Sequence, residues 1–207
     1  MTCARVMRVA LLAFGLASLA ASCLTATAPP GWDPATGARP AEWAAPVEAP
    51  GLPNLHRVDD GLWRGAQPSA EGIGALPALG VRTVVNLRTF HSDREPCRRA
   101  GLDCVQIPMQ AWAASDDDLL RFLVLATDPE RRPVLVHCKH GADRTGLACA
   151  VYRVVVQGWS KDAALAEMVG GEFGYHPLWD NLVEHVRELD VEAMRQRLED
   201  ERRARSR

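Results

Sequence analysis

Three observations predict an α/β domain built on a small, largely parallel sheet with helices on both sides. Short β-branched runs alternate with stretches of helical periodicity through residues 54–200. One apolar run, Pro133-Val134-Leu135-Val136, delivers a glycine-containing loop directly to a helix start. That stretch holds about 150 residues, enough for one domain around a single core.

The chain begins with what reads as a leader. Arg5 and Arg8 make a basic start, and Val9 through Ala21 is an apolar run too short to span a bilayer but of signal-peptide length. Ala20-Ala21-Ser22 before Cys23 resembles the lipobox of bacterial lipoproteins, which implies a signal peptide over 1–22 and a lipid on Cys23. Ala20 stands where that motif carries Leu, and ordinary cleavage after Ala26-Thr27-Ala28 is the alternative. Either route predicts export to the periplasm, and the first predicts a membrane anchor. Residues 24–53, rich in Pro and Ala without apolar periodicity, read as a flexible tether. The whole chain carries 24 Lys and Arg against 26 Asp and Glu, a formal −2. Loss of residues 1–22 removes Arg5 and Arg8 and no acid, which argues against a nucleic-acid partner. A monomer is expected.

Within the domain, Leu55-His56-Arg57-Val58, the turn Asp59-Asp60-Gly61 and Leu62-Trp63-Arg64 read as an opening hairpin. Gln67-Pro68-Ser69 caps a helix running to Leu79, and residues 81–87, β-branched, make a central strand. A short helix over 94–100 and a strand over 103–108 follow. Ser115 or Asp116 caps a helix whose Leu119, Phe122, Leu123 and Ala126 recur at helical spacing. Beyond the loop, Leu147, Ala148, Val151, Val154 and Val155 make one buried helical face. Ser160 starts a further helix that Gly170-Gly171 ends, and residues 178–189 and 191–198 read as two more with charged outer faces. Residues 201–207 are a basic, solvated tail.

Cys97 and Cys104 are placed to form a local disulfide or to remain two thiols, and Cys149 reads as core. No CxxC or His/Cys cluster has metal-ligand spacing, so no metal and no cofactor are expected.

The chemistry concentrates in His137-Cys138-Lys139-His140-Gly141-Ala142-Asp143-Arg144-Thr145-Gly146. A loop feeding a helix start points backbone N–H groups and the positive end of the helix dipole at one spot, a ready site for phosphate. Gly141 lets the turn close, and Arg144 supplies a planar fork that holds two equatorial oxygens at once. Cys138 lies at the bottom of the cradle, where those N–H groups and the guanidinium favour a negatively charged, nucleophilic sulfur. Thr145 places a hydroxyl that can donate to the sulfur, and His137 orients the strand end from behind. The phosphate-binding set is therefore Lys139 through Arg144.

The string His-Cys-x-x-Gly-x-x-Arg-Thr-Gly resembles the signature loop of the cysteine-dependent phosphatases. Leu62-Trp63-Arg64-Gly65-Ala66-Gln67-Pro68, Val84-Val85-Asn86-Leu87-Arg88 and residues 152–159 resemble bacterial, exported members of their dual-specificity/tyrosine group. The resemblance implies metal-free, two-step hydrolysis of phosphomonoesters through a phosphocysteine on Cys138. The substrate it implies is a phosphorylated protein, with inositol phosphates or phosphoinositides as the alternative. Lys139 and His140, adding positive charge at the loop rim, suit either. A phosphate-binding module with little turnover and a rhodanese-type sulfurtransferase are the other classes that use such a loop.

The family's general acid, an Asp about four residues past the proline that here is Pro108, is replaced by Trp112. Asp116, Asp117 and Asp118 look like helix-start residues. Asp143 is the expected acid instead, in an arrangement similar to that of myotubularin-like phosphatases. His56, His91 and His185 read as surface or core residues, and His176 with Trp179 as possible cleft lining.

Overall fold

The computed structural model describes residues 39–205. The leader, Cys23 and the first part of the predicted tether lie outside the described residues. Six strands form one sheet: β1 (Ala45–Pro46), β2 (His56–Asp59), β3 (Leu62–Gly65), β4 (Thr83–Asn86), β5 (Asp103–Gln106) and β6 (Val134–His137), in the order β1-β2-β3-β6-β4-β5. The first three pair antiparallel, while β3, β6, β4 and β5 run parallel. Seven α-helices cover it: α1 (Ala70–Ala75), α2 (Arg94–Ala100), α3 (Asp116–Thr127), α4 (Asp143–Val155), α5 (Lys161–Gly170), α6 (Asp180–Glu188) and α7 (Val191–Arg205).

The pleat sorts the strand residues between two cores. Trp63, Val84 and Leu135 point to one face, where Ile73 and Leu76 from the α1 side and Cys97 of α2 meet them. Leu62, Val85, Val134 and Val136 point to the other, against Leu119, Phe122 and Leu123 of α3 and Leu147 and Val151 of α4. Burial on both faces is why these strands read as continuous apolar runs rather than alternating ones. Ser69, Ser115 and Ser160 cap α1, α3 and α5 by accepting from the N–H groups of Gly72, Asp118 and Ala163.

Two boundaries differ from the sequence reading. The tether assigned to 24–53 ends sooner, because residues 39–53 pack on the body. Trp43 and Ala44 are buried, β1 extends the sheet edge, and the Ala44 N–H donates to Glu167 Oε1 at 2.6 Å. Glu167 is itself buried and accepts two 2.7 Å hydrogen bonds from the Arg153 guanidinium, so an α4–α5 ion pair clasps this strap. Proline-rich composition concealed the few apolar anchors, Trp43 and Leu52, that hold it. At the other end, the basic tail is helical to Arg205, since α7 continues past Leu198. Arg203 pairs with Glu199 and Asp200 one turn back, and basic residues at a helix C-terminus suit the dipole.

Cys97 and Cys104 are free thiols in hydrogen-bond contact, an arrangement that pushes Cys97 up and draws Cys104 down. Cys149 is core, as expected, and burial pushes its thiol up to about 11.

Candidate active site

The four parallel strands end level with one another. Gly65 and Asn86 both stand in register with His137, and Asn86 with Gln106, so their carboxyl ends open onto one crevice. The loop from Cys138 to Ala142 crosses it and enters α4 at Asp143, whose first N–H groups have no intrahelical partner. Cys138 lies at its floor, 1% exposed.

The loop's shape is imposed from outside. Gly141 adopts φ +73°, and a Cβ there would come within 2.6 Å of the Gly65–Ala66 backbone, so both conformation and space demand glycine. Buried Arg64 donates to the Gly141 carbonyl at 2.8 Å, its guanidinium lying 3.4 Å from the centre of the Phe173 ring. Burial draws that guanidinium below its usual range. The Gln67 N–H donates to the Lys139 carbonyl at 3.2 Å, and Asn54 Nδ2 to the His140 carbonyl at 2.9 Å. With these carbonyls engaged on the outside, the helix-start N–H groups are left to face a ligand.

Arg144 donates from Nη1 to the carbonyls of Met109 and Leu87 at 3.2 and 3.4 Å, which sets its arm beneath the β4 and β5 ends. Thr145 Oγ1 is buried and makes no hydrogen bond among the described residues, the sulfur included. Its expected donation to Cys138 is not made here.

Behind the loop, fully buried His137 holds Nδ1 3.2 Å from the Cys138 carbonyl and Nε2 2.9 Å from Asp93 Oδ2. The second contact is close but poorly aligned for a hydrogen bond. Asp93, 2% exposed, also accepts from Asn86 Nδ2 at 2.5 Å and Gln67 Nε2 at 2.7 Å. Burial alone would raise its carboxyl, but the contacts with His137 and Gln67 outweigh that and hold it below the usual carboxylate range. This junction joins β4, β6 and the β3–α1 turn. Sequence reasoning missed Asp93, which sits one residue before α2 and looks like an ordinary helix start.

At the front of the loop, Asp143 is buried and accepts from the backbone N–H of His176 at 3.0 Å and from its ring Nδ1 at 3.0 Å. Asp143 therefore does not stand alone as the expected acid. It is one half of an Asp–His pair whose other member, His176, has a side chain 49% exposed. The His140 ring lies 5.2 Å from that of His176. Burial, then Lys139 and His176, draw the His140 imidazole below its ordinary value.

Trp112, where the family's acid is expected, is 67% exposed and 6.4 Å from the ring of Trp179. Phe90 and Leu178 are exposed too. The acids at the start of α3 have structural partners: Asp116 takes His185 Nε2 at 2.8 Å, Asp117 pairs with Arg197, and Asp118 caps with Ser115. His56 packs edge-on to Phe173 at 4.8 Å, as a core residue.

A largely parallel sheet whose central strand leads into a buried cysteine, a pinned glycine loop and a helix-start arginine defines a cysteine-dependent phosphatase. A family model described as a DSP-PTPase phosphatase fused to NAD+ kinase matches residues 49–178. The dual specificity protein phosphatase TpbA of Pseudomonas aeruginosa is 41% identical over 154 residues, 74% of this chain and 69% of that protein. A crystal structure of a TpbA variant in complex with pTyr superposes with a TM-score of 0.69 at 38% identity, covering 78% of this chain and 98% of that one. Inositol diphosphatase DSP5 of Arabidopsis thaliana is more distant, 28% identical over 125 residues, 56% of this chain and 60% of that protein. The chain belongs to the dual-specificity/tyrosine phosphatase family, and it is an enzyme of that class.

Proposed function

We propose that this phosphatase hydrolyses phosphotyrosine in proteins, with Cys138 as nucleophile, Arg144 and the N–H groups from Lys139 through Asp143 as the phosphate cradle, and the Asp143–His176 pair as proton donor. The loop itself carries the reading: a buried cysteine at the end of β6, with the Arg144 arm tied to Met109 and Leu87. Cys138 Sγ attacks phosphorus, an S–P bond forms as the P–O bond to the leaving group breaks, and the departing oxygen takes a proton from Nε2 of a protonated His176 ring whose Nδ1 stays on Asp143. Water then attacks phosphorus, returning the pair to sulfur and a proton to the imidazole. Thr145 Oγ1, buried without a partner, supports a role as donor to the sulfur once negative charge returns to it.

Exposed Trp112, beside half-buried Trp179, favours an aromatic phosphoester, and TpbA, similar in sequence, has been crystallised with pTyr. A second reading, an inositol phosphate or phosphoinositide, draws on exposed Lys139 and His140 at the loop rim and on the inositol diphosphatases among the relatives. Phosphate release from phosphotyrosyl and phosphoseryl peptides and an inositol polyphosphate, with and without orthovanadate, tests it. The expected result is highest kcat/KM on the phosphotyrosyl peptide and full block by vanadate. Preference for the inositol polyphosphate installs the second reading, and absence of release leaves a phosphate-binding module.

The enzyme acts as an exported lipoprotein, anchored through Cys23 after removal of 1–22, and as a monomer whose site is built from one chain. Cys23→Ala should move it from membrane to soluble periplasmic fraction, and unchanged fractionation rejects the anchor.

A further inference from the structure

His140, Asp143 and His176 each bring one possible ligand atom within 4.8 Å of the other two. No two of them are neighbours in sequence, and the fold gathers them from the phosphate loop, the start of α4 and the segment after α5. We propose that these three side chains form a binding site for a zinc-class divalent cation at the mouth of the phosphate loop.

Two imidazoles and one carboxylate make a donor set suited to borderline transition ions, whereas Mg2+ and Ca2+ call for oxygen ligands throughout. In a tetrahedral zinc site, with bonds of about 2.0–2.1 Å, neighbouring donors stand roughly 3.3 Å apart. Asp143 and His176 Nδ1 are already 3.0 Å apart, so a cation replacing the shared proton would find two ligands at donor spacing. His140 is exposed, and a side-chain rotation that carries its ring nitrogen by up to about 1.5 Å would close the set. The scaffold beneath is fixed. Asp143 is buried and receives the His176 backbone N–H at 3.0 Å, an outer contact of the kind that orients a ligating carboxylate. The His140 backbone is held through its carbonyl by Asn54.

Three protein ligands leave a fourth position open beside the loop that receives phosphate. Bound there, the cation displaces the Nδ1 proton of His176 and occupies Asp143. On the phosphatase reading above, that removes the proton donor and slows turnover.

The test is calorimetric titration of the full-length Cys138→Ser protein with ZnSO4, then with CoCl2 in an absorption experiment. Cys138→Ser takes the nucleophile away, so binding is read whether or not the phosphatase reading holds. One site is expected, weakened at least about tenfold by His140→Ala and further by His176→Ala, each tenfold step being about 1.4 kcal/mol. The Co2+ form should show visible d–d bands without a near-ultraviolet thiolate band. Zinc affinity unchanged from the Cys138→Ser parent in His140→Ala and His176→Ala, or a thiolate band that assigns the metal to Cys97 and Cys104, overturns the site. In the active enzyme, zinc should inhibit phosphotyrosyl-peptide hydrolysis reversibly to EDTA and less strongly in His140→Ala. Equal inhibition of both would place the inhibitory ion elsewhere and overturn the link to turnover.

Discussion

The molecule uses one chemical unit twice, an aspartate beside a histidine, on opposite sides of the same loop. Asp93 and His137 lie 2.9 Å apart with side chains 2% and 0% exposed. Asp143 and His176 lie 3.0 Å apart with side chains 8% and 49% exposed. The near-identical spacing teaches that residue pairing does not set role. The buried pair, with no access to solvent and with Asn86 and Gln67 also bound to its carboxylate, can only hold β4, β6 and the phosphate loop together. The half-open pair can exchange its proton with a substrate or its partner with a cation.

The largest expected effect falls on what both pairs serve. Cys138→Ser should remove turnover by more than about 10⁴-fold while substrate binding and Tm persist, because neither pair is touched. Measurable turnover near the wild-type rate would reject the covalent route.

Next comes the open pair. His176→Ala should lower kcat/KM on alkyl phosphates about 10²–10⁴-fold and leave an activated aryl phosphate within a few-fold, since only poor leaving groups need the proton. Asp143→Asn should show the same selectivity, more weakly. Equal losses on both substrates would make this pair a clamp like the other and erase the contrast.

The buried pair should answer in stability instead. Asp93→Asn is expected to cost roughly 3 kcal/mol in urea unfolding, because it removes the buried carboxylate on which His137, Asn86 and Gln67 converge. Its pH signature follows from the depressed Asp93 carboxyl. A carboxylate held below its ordinary value near pH 4 adds stability above that pH, and loses it as pH falls through the depressed value. The wild type should therefore weaken on the acid side, and Asp93→Asn should flatten that limb. A variant with unaltered acid unfolding would remove Asp93 from the clamp.

The smallest effect belongs to His91, which reaches Asp93 at 3.2 Å with its side chain 40% exposed. His91→Ala should change stability by less than about 0.5 kcal/mol, the scale of a solvent-screened contact. A larger cost would show that the clamp extends to the surface.

Much of this was legible beforehand. Val134, Leu135 and Val136, with Val84 and Val85, make unbroken apolar runs because both sheet faces are covered, and local pattern is enough to find them. Serine caps at Ser69, Ser115 and Ser160 were readable because a cap acts within three residues of itself. The phosphate loop was readable for the same reason, since its nucleophile, glycine and arginine lie in one short contiguous run. Asp93 and Arg64 gave no such sign, because their partners are far away in sequence.

The sequence by itself thus determined the α/β class, the loop and its candidate phosphate-binding residues, all of which depend on short-range spacing and on burial averaged over elements. Tertiary structure decided that Asp143 is shared with His176, that residues 39–53 belong to the body, and that one Asp–His pair is sealed while the other opens to solvent. Those are relations across tens of residues, fixed by how the layers pack, and a side chain's access to water exists only once the layers have closed.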